Sequence, residues 1–307
     1  MIQSDRLEDA RSDLPVVLAI GVFDGLHLGH QAILRAARDE ADRVGGRAWV
    51  LTFAPHPARL LRPNQAPLQL CTEAQRARLL HALRMDGCVL LPFTRALADL
   101  APEDFWALLR NALPTLAGVA VGSNWRFGRQ AAGDMDTLCT FGRRDHVRIL
   151  VPDAVTDADE PVSSTRVRRA VQEGDMDLAT RLLGRPYALE GEVVHGKKLG
   201  RTMGFPTLNV QIRNECLPPA GVFACRVTAR GQNFVGAGYR PPGHAESNAH
   251  ATLFEVHLLD FQGDLYGEVV EVSLIRRMRP PLPPDQVPDL TARIRADVDG
   301  IRAFFAD

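Results

Sequence analysis

The sequence predicts an α/β chain in two parts: a doubly wound parallel sheet in the N-terminal part, then a small antiparallel β-barrel with a terminal helix. Three observations predict this. Short apolar runs alternate with helical patterns up to about residue 184, which is the signature of parallel strands joined by crossover helices. Near Arg185-Pro186 the pattern changes, and from Leu189 to Ile275 strand-like runs follow one another with no long helix between them. Finally, Leu290, Ile294, Val298, Ile301 and Phe305 recur at spacings of three and four, which marks one closing helix. A length of 307 residues fits two domains, placed at 1–184 and 185–307.

Taken in order, Val16 to Ile20 reads as a buried strand, and a turn rich in His and Gly follows it. A helical pattern opens at Ala32-Ile33-Leu34 and runs to about Val44, where Gly45-Gly46 ends it. Arg47 to Phe53 is a second strand, broken at once by Ala54-Pro55-His56-Pro57. Glu73 to Met85 is helical, with Leu79, Leu80 and Leu83 on one side, and Cys88 to Leu91 is a third strand. Pro102-Glu103-Asp104 starts a helix with acids in its first turn. Gly118 to Gly122 and Val147 to Val151 supply the fourth and fifth strands. In the second part the clearest strands are Gly221 to Ala229, Leu253 to Leu259 and Val269 to Ile275. Pro280 to Pro288 is proline-rich and holds no helix. The closing helix is expected to pack on the barrel.

Composition is that of a globular protein, 46% hydrophobic and 24% charged. A net charge of −1 argues against broad nucleic-acid or membrane-surface binding. The five cysteines form no Cys-x-x-Cys pair, so a disulfide framework or zinc knuckle is not expected and a reducing, cytoplasmic setting is. Met1 to Asp13 is polar and charged, unlike a signal peptide, and no apolar run reaches membrane-spanning length.

The chain is organised around Gly21-Val22-Phe23-Asp24-Gly25-Leu26-His27-Leu28-Gly29-His30, placed between a strand and a helix. In an open α/β sheet that turn lies at the carboxyl edge of the strands, where ligands bind. The N–H groups and dipole of the helix start favour an anion there. Gly25 and Gly29 let a phosphate approach the backbone, and His27 and His30 can donate to its oxygens. Asp24 either assists through Mg²⁺ or a hydroxyl or simply forms the turn. His-x-x-His alone also suits a metal site or a surface turn. Two further stretches join this one. Gly122-Ser123-Asn124-Trp125-Arg126-Phe127-Gly128 leaves the fourth strand with an amide, two aromatics and an Arg, which suits an aromatic or nucleotide ligand or an ordinary core loop. Ser163-Ser164-Thr165-Arg166-Val167-Arg168 puts three hydroxyls and then arginines at a helix start, a candidate clamp for β- and γ-phosphates.

In the second part, Gly196-Lys197-Lys198-Leu199-Gly200-Arg201-Thr202-Met203-Gly204-Phe205-Pro206-Thr207-Leu208-Asn209 spaces glycines among cations. Thr207 and Asn209 alternate along an extended segment, so both oxygens can face one Mg²⁺. The run lacks the Gly-Lys-Ser/Thr end of a P-loop, and it is either a phosphate loop or a basic hairpin.

Together these stretches resemble a known family. Gly-x-Phe-Asp-Gly-x-His-x-Gly-His, Pro-His-Pro, Val-Gly-x-Asn-x-x-Phe-Gly and Ser-Ser-Thr-x-x-Arg occur in that order. They look like the nucleotidyltransferase domain of the bacterial bifunctional riboflavin kinase/FAD synthetases. Gly-Phe-Pro-Thr-x-Asn, Gly221-Val222-Phe223-Ala224 and the acidic strand Phe254 to Asp260 resemble the same family's kinase domain. The resemblance implies ATP as co-substrate, Mg²⁺, riboflavin phosphorylated to FMN, and FMN adenylated to FAD, with no nucleic acid or membrane partner. It implies His27, His30 and Arg168 as catalytic for adenylation, with Gly21, Phe23, Asp24, Gly25, Gly29, Ser163, Ser164 and Thr165 around the nucleotide and Asn124, Trp125, Arg126 and Phe127 around the flavin. For the kinase it implies Glu255 as base, Gly196, Lys198, Gly200, Arg201 and Gly204 at the phosphates, Thr207 and Asn209 on the metal, and Arg279 at the flavin. The chain departs from the family at Gly238-Tyr239-Arg240-Pro241-Pro242, where Thr usually closes the motif, at Trp125, where Phe is usual, and at Pro280 to Pro288. An FAD synthetase with a silent barrel and a non-catalytic flavin-binding regulator stay open beside the bifunctional enzyme.

Overall fold

The computed structural model describes residues 1–196, 203–242, 253–282 and 289–306. Its contacts fall into two compact units: Met1–Leu68 with Glu73–Ser163, and Gln69–Thr72 with everything from Ser164 onward.

The first unit is a six-stranded parallel sheet of β1 (Ile2–Ser4), β2 (Val16–Ile20), β3 (Arg47–Ala54), β4 (Gly87–Pro92), β5 (Leu116–Ala120) and β6 (Arg148–Leu150), in the order β1-β4-β3-β2-β5-β6. The helices around it are α1 (Leu28–Arg43), α2 (Pro57–Leu61), α4 (Arg95–Ala98), α5 (Pro102–Ala112) and α6 (Met135–Arg144), with α3 (Glu73–Ala82) between α2 and α4 in the chain. A short ribbon of β7 (Thr156–Asp157) and β8 (Glu160–Pro161) ends the unit. Strand β2 shows why a parallel sheet forms: all five residues are buried, Val16, Leu18 and Ile20 in one core cluster and Val17 and Ala19 in the other. Both faces are therefore covered, and the strand reads as an unbroken apolar run. Truncating Leu18 to Ala would cost about 2–5 kcal/mol. The chain runs β2, β3, β4 to one side and then crosses back to β5, so the strand order reverses between β2 and β5, where open α/β sheets bind ligands.

The second unit begins with α7 (Ser164–Glu173) and α8 (Met176–Leu183). A closed barrel follows, built from β9 (Tyr187–Val194), β10 (Leu208–Ile212), β11 (Gly221–Ala229), β12 (Gln232–Arg240), β13 (Leu253–Leu258) and β14 (Val269–Arg279). Its ladders are antiparallel throughout. The terminal helix α9 (Leu290–Ala306) packs on it, with Ile301 buried beside Val222 and Ala224. Gln69–Thr72 belongs to this unit: Leu70 is buried with its carbonyl 2.9 Å from the Tyr187 hydroxyl, and Thr72 donates to the buried Glu190 at 2.7 Å.

Most predicted elements are present. Helix α1 starts at Leu28 rather than at Ala32, because His27 caps it, so Gly29 and His30 stand in its first turn rather than on a loop. Strand β1 and helices α2, α4, α6 and α8 were not anticipated. The first is a three-residue edge strand with Ile2 60% exposed, too short for a period to show.

Candidate functional site

At the carboxyl end of β2 the chain turns through three left-handed residues: Phe23 at φ 50°, Gly25 at 76° and Leu26 at 42°. Only Gly25 adopts this conformation without steric cost. Phe23 and Leu26 are held there because their side chains are fully buried under the sheet. Phe23 is thus a core residue that shapes the turn, its ring 3.1 Å from where a Cβ on Gly21 would stand. Asp24 and His27 are also buried, at 4% and 6% exposure. His27 caps α1, its Nδ1 accepting the His30 backbone N–H at 3.3 Å. An imidazole that accepts through Nδ1 carries its proton on Nε2, the atom with which it can donate to a ligand. The His27 and His30 rings stack 3.7 Å apart, and the His27 ring lies 3.2 Å from the Cβ position of Gly29. A side chain at residue 29 would crowd the His27 ring. The turn thus packs two imidazoles together at a helix N-terminus, an arrangement that suits an anion.

Beside it, outside the ends of β2 to β5, is a cleft of about 720 Å³. Gly21 and Val22 form part of its wall, and Phe53, Phe93, Trp125 and Phe127 give it aromatic faces. Trp125 and Phe127 are stacked at 4.7 Å with their planes 12° apart. Arg126 also lines the cleft and pairs with Asp134 at 3.3 Å. Asn124 stands next to these residues with its Oδ1 folded toward Gly122, 3.4 Å from the Cβ position there. Ser163 ends the first unit, and Ser164 and Thr165 open α7, with Arg168 one turn on. His56 caps α2, accepting the Ala58 N–H at 3.0 Å.

The barrel holds a second cleft, about 340 Å³, between strands β11 to β13 and α9. Strand pairing sets Asn209 directly opposite Glu255, and Glu255 opposite Tyr239, so the three side chains share one face. Thr207, Tyr239 and Glu255 line the cleft. Gly196 packs against Asn209: a Cβ there would meet the amide at 2.3 Å, so a side chain at 196 would displace the Asn209 amide. Arg279 lines the cleft and is clamped by Asp297 of α9 through both carboxylate oxygens, at 2.9 and 2.5 Å. That carboxylate raises the Arg279 pKa, and it also accepts from Arg293 at 3.0 Å. Burial, and then the Glu255 charge, push the Tyr239 phenol above its ordinary pKa. Gly204 stands at φ 83° ahead of Thr207. Lys198, Gly200 and Arg201 lie outside the described residues, as does most of the stretch from Pro241 to His250.

Sequence reasoning missed Phe53, near the carboxyl end of β3, and Phe93, just past β4, which were legible by their position at the strand ends. It also missed Tyr239, Arg293 and Asp297, which only the barrel's closure and the docking of α9 bring to Glu255.

Among the described residues, no helix is long and apolar enough to cross a membrane. Residues 9–166 match the family model for FAD synthetase, and residues 183–305 match that for riboflavin kinase. The chain is 34% identical over 302 residues to the bifunctional riboflavin kinase/FMN adenylyltransferase of Listeria monocytogenes, covering 97% of this chain and 95% of that protein. The protein of the same name from Pseudomonas fluorescens is 36% identical, covering 94% and 93%. A solved structure from Streptococcus pneumoniae, described as a macrolide-efflux protein, superposes with a TM-score of 0.86 at 28% identity over 98% of both chains. Two family models in tandem and full-length relatives above 30% identity settle the kinship: the chain belongs to the bifunctional riboflavin kinase/FMN adenylyltransferase family.

Proposed function

We propose that the two clefts divide the two reactions of this family. The chain is an ATP-dependent transferase with both activities: it phosphorylates riboflavin to FMN and adenylates FMN to FAD. Kinase chemistry is assigned to the barrel, within residues 185–307, and adenylation to the parallel-sheet part, within residues 1–184.

In the barrel, Glu255 takes the proton of the riboflavin 5′-hydroxyl as that oxygen attacks the γ-phosphorus of ATP, and ADP leaves. Thr207 and Asn209 offer two neutral oxygens on the same face as Glu255. Among the described residues no cluster of three or more His, Cys, Asp or Glu side chains could cage a metal. That donor set fits Mg²⁺, which keeps waters and is bound largely by substrate phosphates. When bound, Mg²⁺ supplies charge neutralisation at the phosphates. Gly196 and Gly204 allow the backbone to come close, Lys198, Gly200 and Arg201 keep the phosphate role that the family resemblance implies, and Arg279 bounds the flavin end.

In the parallel-sheet cleft the FMN phosphate attacks the α-phosphorus of ATP and pyrophosphate leaves. The nucleophile is already an anion, so no strong base is required. His27 and His30, with Ser163, stabilise charge on the triphosphate; Ser164, Thr165 and Arg168, at the start of the second unit, keep the phosphate role that the family resemblance implies. Gly21, Asp24, Gly25 and Gly29 form its cradle, and the Trp125–Phe127 stack with Asn124 and Arg126 receives the isoalloxazine. The five cysteines are thiols rather than cystines, which supports a cytoplasmic location.

The observation that carries this reading is the register that sets Asn209 directly opposite Glu255 on the barrel, while the His27–His30 stack stands in a different unit, at the edge of the parallel sheet. Its test is a product assay with ATP, Mg²⁺ and either riboflavin or FMN, the flavins being separated by chromatography. Riboflavin is expected to pass through FMN to FAD. FAD from FMN but nothing from riboflavin would leave a synthetase with a silent barrel. Flavin binding without turnover would leave a regulatory binding protein.

A further inference from the structure

Three successive strand-to-helix connections each place one arginine on the rim of the aromatic cleft. Arg62 follows β3 at the end of α2, Arg95 follows β4 as the first residue of α4, and Arg129 follows β5. All three are exposed, and none has a carboxylate partner among the described residues. Against them the lining holds one acid, Asp99, and the fourth lining arginine, Arg126, is paired with Asp134. The barrel cleft differs. Its two arginines, Arg279 and Arg293, share Asp297, and Glu255 adds a second carboxylate. Among the described residues, one cleft therefore carries a surplus of uncompensated positive charge at its mouth, and the lining of the other is balanced. Charge of one sign around a cleft with apolar walls focuses the field and concentrates oppositely charged ligands.

We propose that Arg62, Arg95 and Arg129 are specificity-determining residues that select phosphorylated flavin for the parallel-sheet cleft. The same ring system is then sorted by charge. Neutral riboflavin suits the balanced barrel, whereas FMN, a dianion after phosphorylation, is drawn to the arginine rim. The inference rests on the reading that this cleft holds the flavin. It adds the groups that tell FMN from riboflavin there.

The test uses the full chain, with FMN adenylation measured for the wild type, for the triple variant R62Q/R95Q/R129Q, and for R62K/R95K/R129K. 5′-Deoxyriboflavin, a neutral flavin without the hydroxyl that the barrel would phosphorylate, stands in for riboflavin as the competitive inhibitor of adenylation, and its inhibition constant is taken as riboflavin's. For the glutamine variant KM for FMN is expected to rise about tenfold or more, while KM for ATP and the riboflavin inhibition constant move less than about twofold. The dependence of kcat/KM for FMN on salt should flatten, since screening acts on steering by exposed charges. The lysine variant should regain most of the wild-type KM, because it keeps the charge and discards the guanidinium geometry. Parallel rises in KM for FMN and in the riboflavin inhibition constant would overturn the proposal, because the arginines would then shape the ring pocket. A matching rise in KM for ATP would overturn it in favour of a triphosphate role, and unchanged kinetics would make them plain surface residues. A wild-type chain that adenylates no FMN at all would instead overturn the site assignment, a result distinct from all of these.

Discussion

The two clefts have opposite designs. The parallel-sheet cleft is made largely of loops: its Gly21–Val22 turn, most of its aromatic faces and its rim arginines come from successive connections at one sheet edge. The barrel cleft is made of strands: Thr207, Tyr239 and Glu255 stand on or beside paired strands whose register fixes their spacing. On the proposed assignment, the loop-built site gathers many groups around a charged nucleophile that needs no base, and the strand-built site holds one carboxylate in place for a hydroxyl that does. Where the chemistry needs a base, the fold supplies a rigid ladder; where it needs charge stabilisation, it supplies a helix start and cations.

That contrast is broken most sharply at the base. Glu255→Gln is expected to lower riboflavin phosphorylation by about 10²- to 10⁴-fold while FMN adenylation stays at the wild-type rate, read by flavin chromatography. His30→Ala should do the reverse, lowering adenylation by about 10²- to 10³-fold with the kinase intact, since it removes a donor to the triphosphate rather than a base. A smaller effect sharpens the barrel side. Asp297→Ala strips the shared carboxylate from Arg279 and Arg293, whose partner is itself largely buried. It should destabilise the barrel by about 2 kcal/mol in denaturant unfolding and raise KM for riboflavin severalfold, leaving KM for FMN in adenylation unchanged.

The smallest effect concerns pH and falls on the other unit. Asp145 accepts from Arg144 and from the indole N–H of the buried Trp106, which together bring its pKa down to about 2. A carboxyl with a depressed folded-state pKa stabilises fully above its ordinary value near 4 and loses that contribution as pH falls toward 2. Acid unfolding of the parallel-sheet unit should therefore steepen across that window, and Asp145→Asn should flatten it.

The sequence made the loop-built site more legible than the strand-built one, for a physical reason. The turn from Gly21 to His30 is contiguous, so its glycines and imidazoles announce a helix start suited to an anion, and the structure puts His27 at the cap. Even there the helix start was misplaced by four residues, since a histidine cap carries no Ser or Asp signal. The barrel site draws on Asn209, Tyr239, Glu255, Arg279 and Asp297, which are far apart in the chain. No local pattern announces that Tyr239 faces Glu255, which follows only from the pairing of β12 with β13. Gln69–Thr72 was illegible for the same reason: its partners Tyr187, Glu190 and Asn214 are more than a hundred residues away.

The most direct test of two separate sites in one chain is complementation between the two damaged enzymes. Glu255→Gln and His30→Ala are each incubated alone and then together, with riboflavin, ATP and Mg²⁺, and FAD is measured. Neither alone should make FAD from riboflavin, and the mixture should, because FMN made by the intact barrel of one is adenylated by the intact sheet cleft of the other. If Glu255→Gln also failed to adenylate supplied FMN, or His30→Ala also failed to make FMN, the division of the two reactions between the two clefts would be contradicted.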